Sequence, residues 1–317
     1  MSETNPEDSR AWRELRRTLD IAFVEQRRAR RWGIFFKLMT LAYLTFILVA
    51  VMRSAEVDPF ESGPDGHLAL VSVSGVIAAD AESNADSILA GVESALENPG
   101  TRGLMLDINS GGGSPVQADR VWRGLKRLRD QYPDVPFVAS IADIGASGAY
   151  YIASAMDDIY ADEASLVGSI GVISAGFGFA EAAKKLGIER RVISAGDDKA
   201  LLDPFEPLDK AQREHWQAVL AGTHDLFIER VKAGRGARLD ADAELFSGLI
   251  WNGRQALQLG LVDGHLSPME YALSELDTDQ IVDFQYVRIP WMSWPGRWEP
   301  VYSVNSASGP RLAFTRR

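Results

Sequence analysis

Ser147 stands where a serine could be made into a nucleophile. It lies in Gly145-Ala146-Ser147-Gly148-Ala149-Tyr150, between a strand-like run, Pro136–Ala142, and a helix-like one, Ser147–Ala155. A serine on a tight strand-to-helix turn projects its hydroxyl, and the first N–H groups of the helix stay free beside it. Small neighbours let a substrate backbone come close. A second glycine-rich corner, Asn109-Ser110-Gly111-Gly112-Gly113-Ser114, also leads from a strand-like run into a helix-like one. It could offer one more N–H, and two such donors make an oxyanion hole. Read alone, either corner is equally a plain helix cap.

A serine nucleophile needs a base. The four histidines are His67 in a linker-like stretch, His215 and His224 on a long helix-like segment, and His265 after Asp263-Gly264. None falls in a triad-like motif, and each reads as a surface or helix-face residue. Lysine is the alternative activator of serine. Lys199, in Ser194-Ala195-Gly196-Asp197-Asp198-Lys199-Ala200, follows the strand-like Arg190–Ile193. Such a lysine must be desolvated to accept a proton at neutral pH. Two neighbouring aspartates oppose that if they point inward, so a solvated loop stays open as the other reading.

The elements that must position these residues alternate. Strand-like segments are Leu68–Val73, Gly103–Ile108, Pro136–Ala142, Asp158–Ala161, Ile170–Ile173 and Arg190–Ile193. Helix-like segments are Ala85–Glu97, ending at Asn98-Pro99-Gly100, then Val116–Gln131, Ser147–Ala155, Ala180–Leu186 and Leu208–Lys232. This order predicts an α/β fold with mostly parallel pairing.

Ahead of this lies Ile34–Met52, an apolar run whose one charge is Lys37. About 20 apolar residues span a bilayer core, and Lys37 is near enough to the end to snorkel. A buried core helix and a cleaved signal peptide are the rivals. The long preceding segment and the lack of a small-residue cleavage site favour a retained anchor. Arg27, Arg28, Arg30 and Arg31 crowd one side, and Glu56, Asp58, Glu61 and Asp65 follow the other. That asymmetry predicts a single-pass protein of the inner membrane, with a cytoplasmic N-terminus and an extracytoplasmic remainder. The expected organisation is a basic segment over 1–33, the anchor over 34–52, a linker over 53–67, the α/β domain over 68–282 and a tail of unassigned role over 283–317. The net charge of −11 and the absence of a basic face argue against nucleic acid as a partner. With no cysteine there is no disulfide and no thiolate metal site, and no cofactor or metal is expected.

Five ordered segments resemble the S49 Ser-Lys peptidases, the signal peptide peptidase A family in its short form. They are Asp107–Gly113, Gly145–Ala153, Gly168-Ser169-Ile170-Gly171-Val172, Asp197-Asp198-Lys199, and Trp251–Leu257 with Gly260-Leu261-Val262-Asp263. The resemblance implies a Clp protease/crotonase-like fold of stacked ββα units. It also implies Ser147 as nucleophile, Lys199 as general base, Ser169 as the serine that orients the lysine, and an oxyanion hole from Gly148 with Gly112 or Gly113. It further implies remnant signal peptides or other membrane-associated peptides as substrates. The assembly implied is a homo-oligomeric ring, eight-membered in the short form, in which one protomer's lysine completes its neighbour's site. Gly111 stands where the family usually has proline, and Asp197-Asp198 lacks the family's aromatic before the lysine. Two rivals from other classes are a crotonase-type acyl-CoA enzyme, which needs no nucleophile, and a non-catalytic ring-forming membrane scaffold.

Overall fold

The computed structural model describes residues 32–49, 66–240 and 244–284. The basic N-terminal segment up to residue 31, the last three residues of the expected anchor, all but the end of the linker, and the tail beyond Phe284 lie outside the described residues.

The chain divides into two compact units, Met1–Glu61 and Ser62–Arg317. In the first, α1 (Trp32–Val49) is one continuous helix, long and apolar enough to cross a membrane. Its large side chains, Phe35, Phe36, Leu44 and Phe46 among them, are exposed all round. Among the described residues no core covers this helix. Thr45 returns its hydroxyl to Leu41 O (2.8 Å), so its polar group is satisfied within the helix.

The second unit is built on one sheet. In chain order it contains β1 (His67–Ile77), α2 (Ala85–Glu97), β2 (Thr101–Gly113), α3 (Pro115–Gln131), β3 (Phe137–Ala146), α4 (Gly148–Ala153), β4 (Asp158–Ala161) and β5 (Leu166–Gly168). Then come α5 (Ala180–Lys185), α6 (Lys210–Arg235), β6 (Ile250–Asn252), α7 (Gly253–Gln258), α8 (Pro268–Glu275) and β7 (Ile281–Asp283). The sheet order is β6-β5-β3-β2-β1-β7, with β4 also paired to β3. Every pairing is parallel except β5 with β6.

Local chemistry sets the helix ends. Asn84 accepts from Ser87 N to start α2, Ser114 accepts from Gln117 N ahead of Pro115 to start α3, and Asp209 accepts from Gln212 N to start α6. Side chains alternate along β1. Ala69, Val71 and Val73 enter the larger core under α2, α3, α4 and α6, while Leu68 enters a smaller core with Met105, Val138, Tyr271 and Ala272. Arg235, fully buried at the end of α6, donates to both carboxylate oxygens of Asp263 (2.6 and 2.9 Å) and to Gly260 O. Asp263 also accepts from Ile159 N, and Tyr150 of α4 donates to Leu261 O (2.7 Å). One buried network therefore ties α6, α4, β4 and the turn after α7.

Two expectations need correction. Ile170–Ile173 and Arg190–Ile193 are not strands; the strand in this region is β5, which stops at Gly168. Gly168 and Ser169 both take positive φ (106° and 51°), which turns the chain off the sheet. Ile173 and Ile193 are then 88% and 100% exposed, with no neighbouring strand to pair. His67 is neither a linker nor a surface residue: it opens β1, fully buried, with its ring stacked on Phe284. β7 is an edge strand that pairs with β1 through Asp283.

Candidate active site

The two glycine-rich corners meet because they end adjacent parallel strands. Ser110 of β2 is in register with Gly145 of β3, so both corners lie at the carboxyl edge of the sheet, where parallel sheets bind ligands. Ser147 is held there at φ 54°, ψ −123°, a conformation that costs an L-residue roughly 1–3 kcal/mol. Its N–H donates to Gly168 O (2.8 Å), which anchors the turn. Its side chain makes no capping hydrogen bond to α4. This separates it from Ser114, whose hydroxyl does cap α3. The plain helix-cap reading thus fits Ser114 and not Ser147.

The glycine loop presses against this turn. A Cβ at Gly112 would come within 2.6 Å of Gly148 N and 2.8 Å of Ala146 O. Any side chain there would cover the Gly148 N–H, so glycine keeps that donor open. A Cβ at Gly148 would lie 3.2 Å from Gly113 N, so the Gly113 nitrogen lies close against Gly148. Gly112 is different: its N–H donates to Ser110 Oγ (3.1 Å).

Ser147 opens into a pocket of about 300 Å³. Gly113, Gly148 and Ser169 line its polar end; Tyr151, Phe227, Val172, Ile173 and Pro115 give it apolar walls. Ser169 sits at positive φ with its N–H bonded to Leu249 O (2.7 Å), facing the same space as Ser147. Under the pocket, Tyr151 donates to Asp119 Oδ1 (2.9 Å), and Asp119 also meets Arg230 (3.2 Å) and Arg123 (2.8 Å). Burial first, and then the Asp119 carboxylate, pushes the Tyr151 phenol well above its usual range, so it stays protonated.

Lys199 is not among the residues lining this pocket. It is exposed, on a turn closed by its own N–H to Gly196 O (3.2 Å). Asp198 beside it accepts from Gln212 of α6 (3.3 Å). Among the described lining residues there is no Lys, His, Asp or Glu. His224 lies next to the lining residue Thr223, but its Nε2 is engaged with Ile170 O (3.1 Å). Of the expected site residues, the structure therefore brings together Ser147, Ser169, Gly113 and Gly148, with Gly112 behind them, and leaves Lys199 apart. Tyr151, Phe227 and Ser110 were not singled out from sequence. Tyr151 and Ser110 sit inside the quoted motifs, while nothing in the spacing of α6 marks Phe227.

A family model described as Peptidase family S49 matches residues 129–283, which include Ser147, Ser169 and Lys199 but not the glycine loop. A protein of Brucella melitensis named Na(+)/H(+) antiporter NhaA is 44% identical over 173 residues, which is 55% of this chain and 23% of that one. A candidate signal peptide peptidase SppA of Enterococcus faecium is 29% identical over 228 residues, 69% of this chain and 65% of that protein. A candidate protease of Synechocystis sp., slr0021, is 31% identical over 205 residues, 65% of this chain and 72% of that protein. The chain thus spans less than a quarter of the antiporter's length and about two thirds of the other two.

Proposed function

Because the chain belongs to peptidase family S49 and has the Clp protease/crotonase-like fold of that family, we propose that it is a membrane-anchored serine endopeptidase with Ser147 as nucleophile. The observation that carries this reading is Ser147 itself: a strained turn holds it, its hydroxyl is not spent on capping, and it faces the pocket beside the N–H groups of Gly113 and Gly148. The apolar walls suit hydrophobic peptide segments such as remnant signal peptides, and α1 would keep the enzyme where those peptides lie.

The base is Lys199 of a second copy. Two features support this: the lining of the pocket holds no Lys, His, Asp or Glu among the described residues, and several large apolar side chains between residues 173 and 193, ahead of Lys199, are exposed. Phe177 is 81% exposed, and Ile193 is fully exposed only six residues before Lys199. Large apolar side chains left exposed are candidates for burial against a partner. Docked against a neighbour, the lysine would be desolvated and would sit by Ser169. The neutral amine takes the Ser147 hydroxyl proton as Oγ attacks the scissile carbonyl. The oxyanion forms against Gly113 and Gly148. The C–N bond then breaks, the amine leaves with the proton from Lys199, and water hydrolyses the ester of Ser147.

The test is labelling of the full chain in detergent with a fluorophosphonate, read by intact mass and peptide mapping. The expected result is one adduct on Ser147, with Ser147→Ala lowering peptide hydrolysis by roughly 1,000-fold or more. Hydrolysis that survives Ser147→Ala overturns the assignment. A chain that forms rings but neither labels nor hydrolyses would be a scaffold instead.

A further inference from the structure

The glycine loop is fixed by one side chain whose role has so far been only structural. Ser110 is 1% exposed. Its hydroxyl donates to Gly75 O (2.5 Å) and accepts from Gly112 N (3.1 Å). Both bonds lie at the bulge of β1, where the register with β2 shifts between Ser74 and Val76. The bulge is held from the other side by Ser83, which accepts from Ser74 N (3.0 Å) and donates to Ser74 O (2.7 Å). Past it, Ser114 N–H points at β1 and donates to Ile77 O (2.7 Å). Ser114 N–H is taken by Ile77 O and Gly112 N–H by Ser110 Oγ, and the loop nitrogen that lies against Gly148 is that of Gly113.

We infer that Ser110 is the positioning residue of the oxyanion hole: it holds Gly112 N–H away from the substrate and thereby makes Gly113, with Gly148, the donor pair. This rests on Ser147 being the nucleophile. Without the hydroxyl, Gly112 N–H and Gly75 O lose their shared partner in a buried site, and the loop can rotate toward a state in which Gly113 N–H no longer faces Gly148. A misaimed donor weakens the tetrahedral intermediate more than the bound peptide, because the oxyanion exists only after attack.

The experiment uses the full chain in detergent, a quenched fluorescent peptide rich in leucine and alanine, and a peptide boronic acid as the tetrahedral probe. Ser110→Ala should lower kcat about 10- to 100-fold, with KM within about twofold, and weaken the boronic acid in parallel. Ser110→Thr, which keeps a hydroxyl on the same carbon, should recover most of both. Should Ser110→Ala not fold, Ser110→Cys, whose thiol is a weak acceptor, is read the same way. A drop in Tm with kcat and boronic acid affinity unchanged makes Ser110 merely structural and overturns the inference. A missing fluorophosphonate adduct on Ser147 of the unmutated chain overturns the nucleophile reading and this inference together. A normal adduct with normal kcat in Ser110→Ala overturns this inference alone.

Discussion

At the residue scale, the cost of the site is concentrated in the backbone of Ser147. Its φ of 54° suits glycine better than any residue with a Cβ. Alanine inherits the strain and glycine escapes it. Ser147→Gly should therefore unfold later than Ser147→Ala, by about 1 kcal/mol after glycine's own entropy cost is subtracted, although both are expected to be inactive. Thermal melts of the two variants side by side check this; equal stability would mean that the turn is not strained. The turn was legible in sequence, because Gly145, Gly148 and the flanking apolar runs allow little else. That its serine hydroxyl does not cap the helix was not legible. Ser114 and Ser147 look alike on paper, and only the geometry of each cap tells them apart.

At the scale of elements, the helices read well from sequence because their ends are written in local chemistry: Asn84, Ser114 and Asp209 begin them and Gly236 closes α6. The central strands read well because they are long apolar runs. The segments misread as strands, 170–173 and 190–193, have strand composition, but hydrogen bonding of a strand depends on a neighbour and no composition supplies one. The network that binds the elements was also invisible, since Arg235, Asp263 and Tyr150 are far apart in the chain. Burial pushes the Asp263 carboxyl up, but the hydrogen bonds and charge of Arg235, the Ile159 N–H and the charge of Arg238 outweigh it and hold it below the usual carboxylate range. A depressed folded-state value means stability that is fully present above the unfolded value, near pH 4, and is lost as pH falls through the folded one. Asp263→Asn leaves Arg235 buried without its counter-charge and should cost about 3–5 kcal/mol at pH 7. The gap to the unmutated chain should narrow as pH drops from about 5 to 3. Unfolding curves at several pH values check it, and a gap independent of pH would show that the pair is not the source.

At the scale of the whole molecule, one prediction separates a site within a chain from a site between chains. Ser147→Ala and Lys199→Met are each expected to be inactive. Mixed in one assembly, they should recover part of the activity, because some interfaces would join an intact serine to an intact lysine. Size analysis must first confirm that mixed assemblies form; verified mixed assemblies with no recovery would refute the shared site. This level was the least legible from the amino-acid sequence, since the order of elements says nothing of what a second copy contributes. A physical trace of it among the described residues is the set of exposed apolar side chains over 173–193.

The pocket beside Ser147 has apolar walls and is lined by Gly113 and Gly148, but no Lys, His, Asp or Glu is among its described lining residues. If the base comes from a second copy as proposed, a newly made copy would be silent until it meets one. Its rate per chain should climb with crowding in the bilayer plane and collapse on dilution into excess detergent. Synthesis level and membrane area would then act together as the throttle on cleavage.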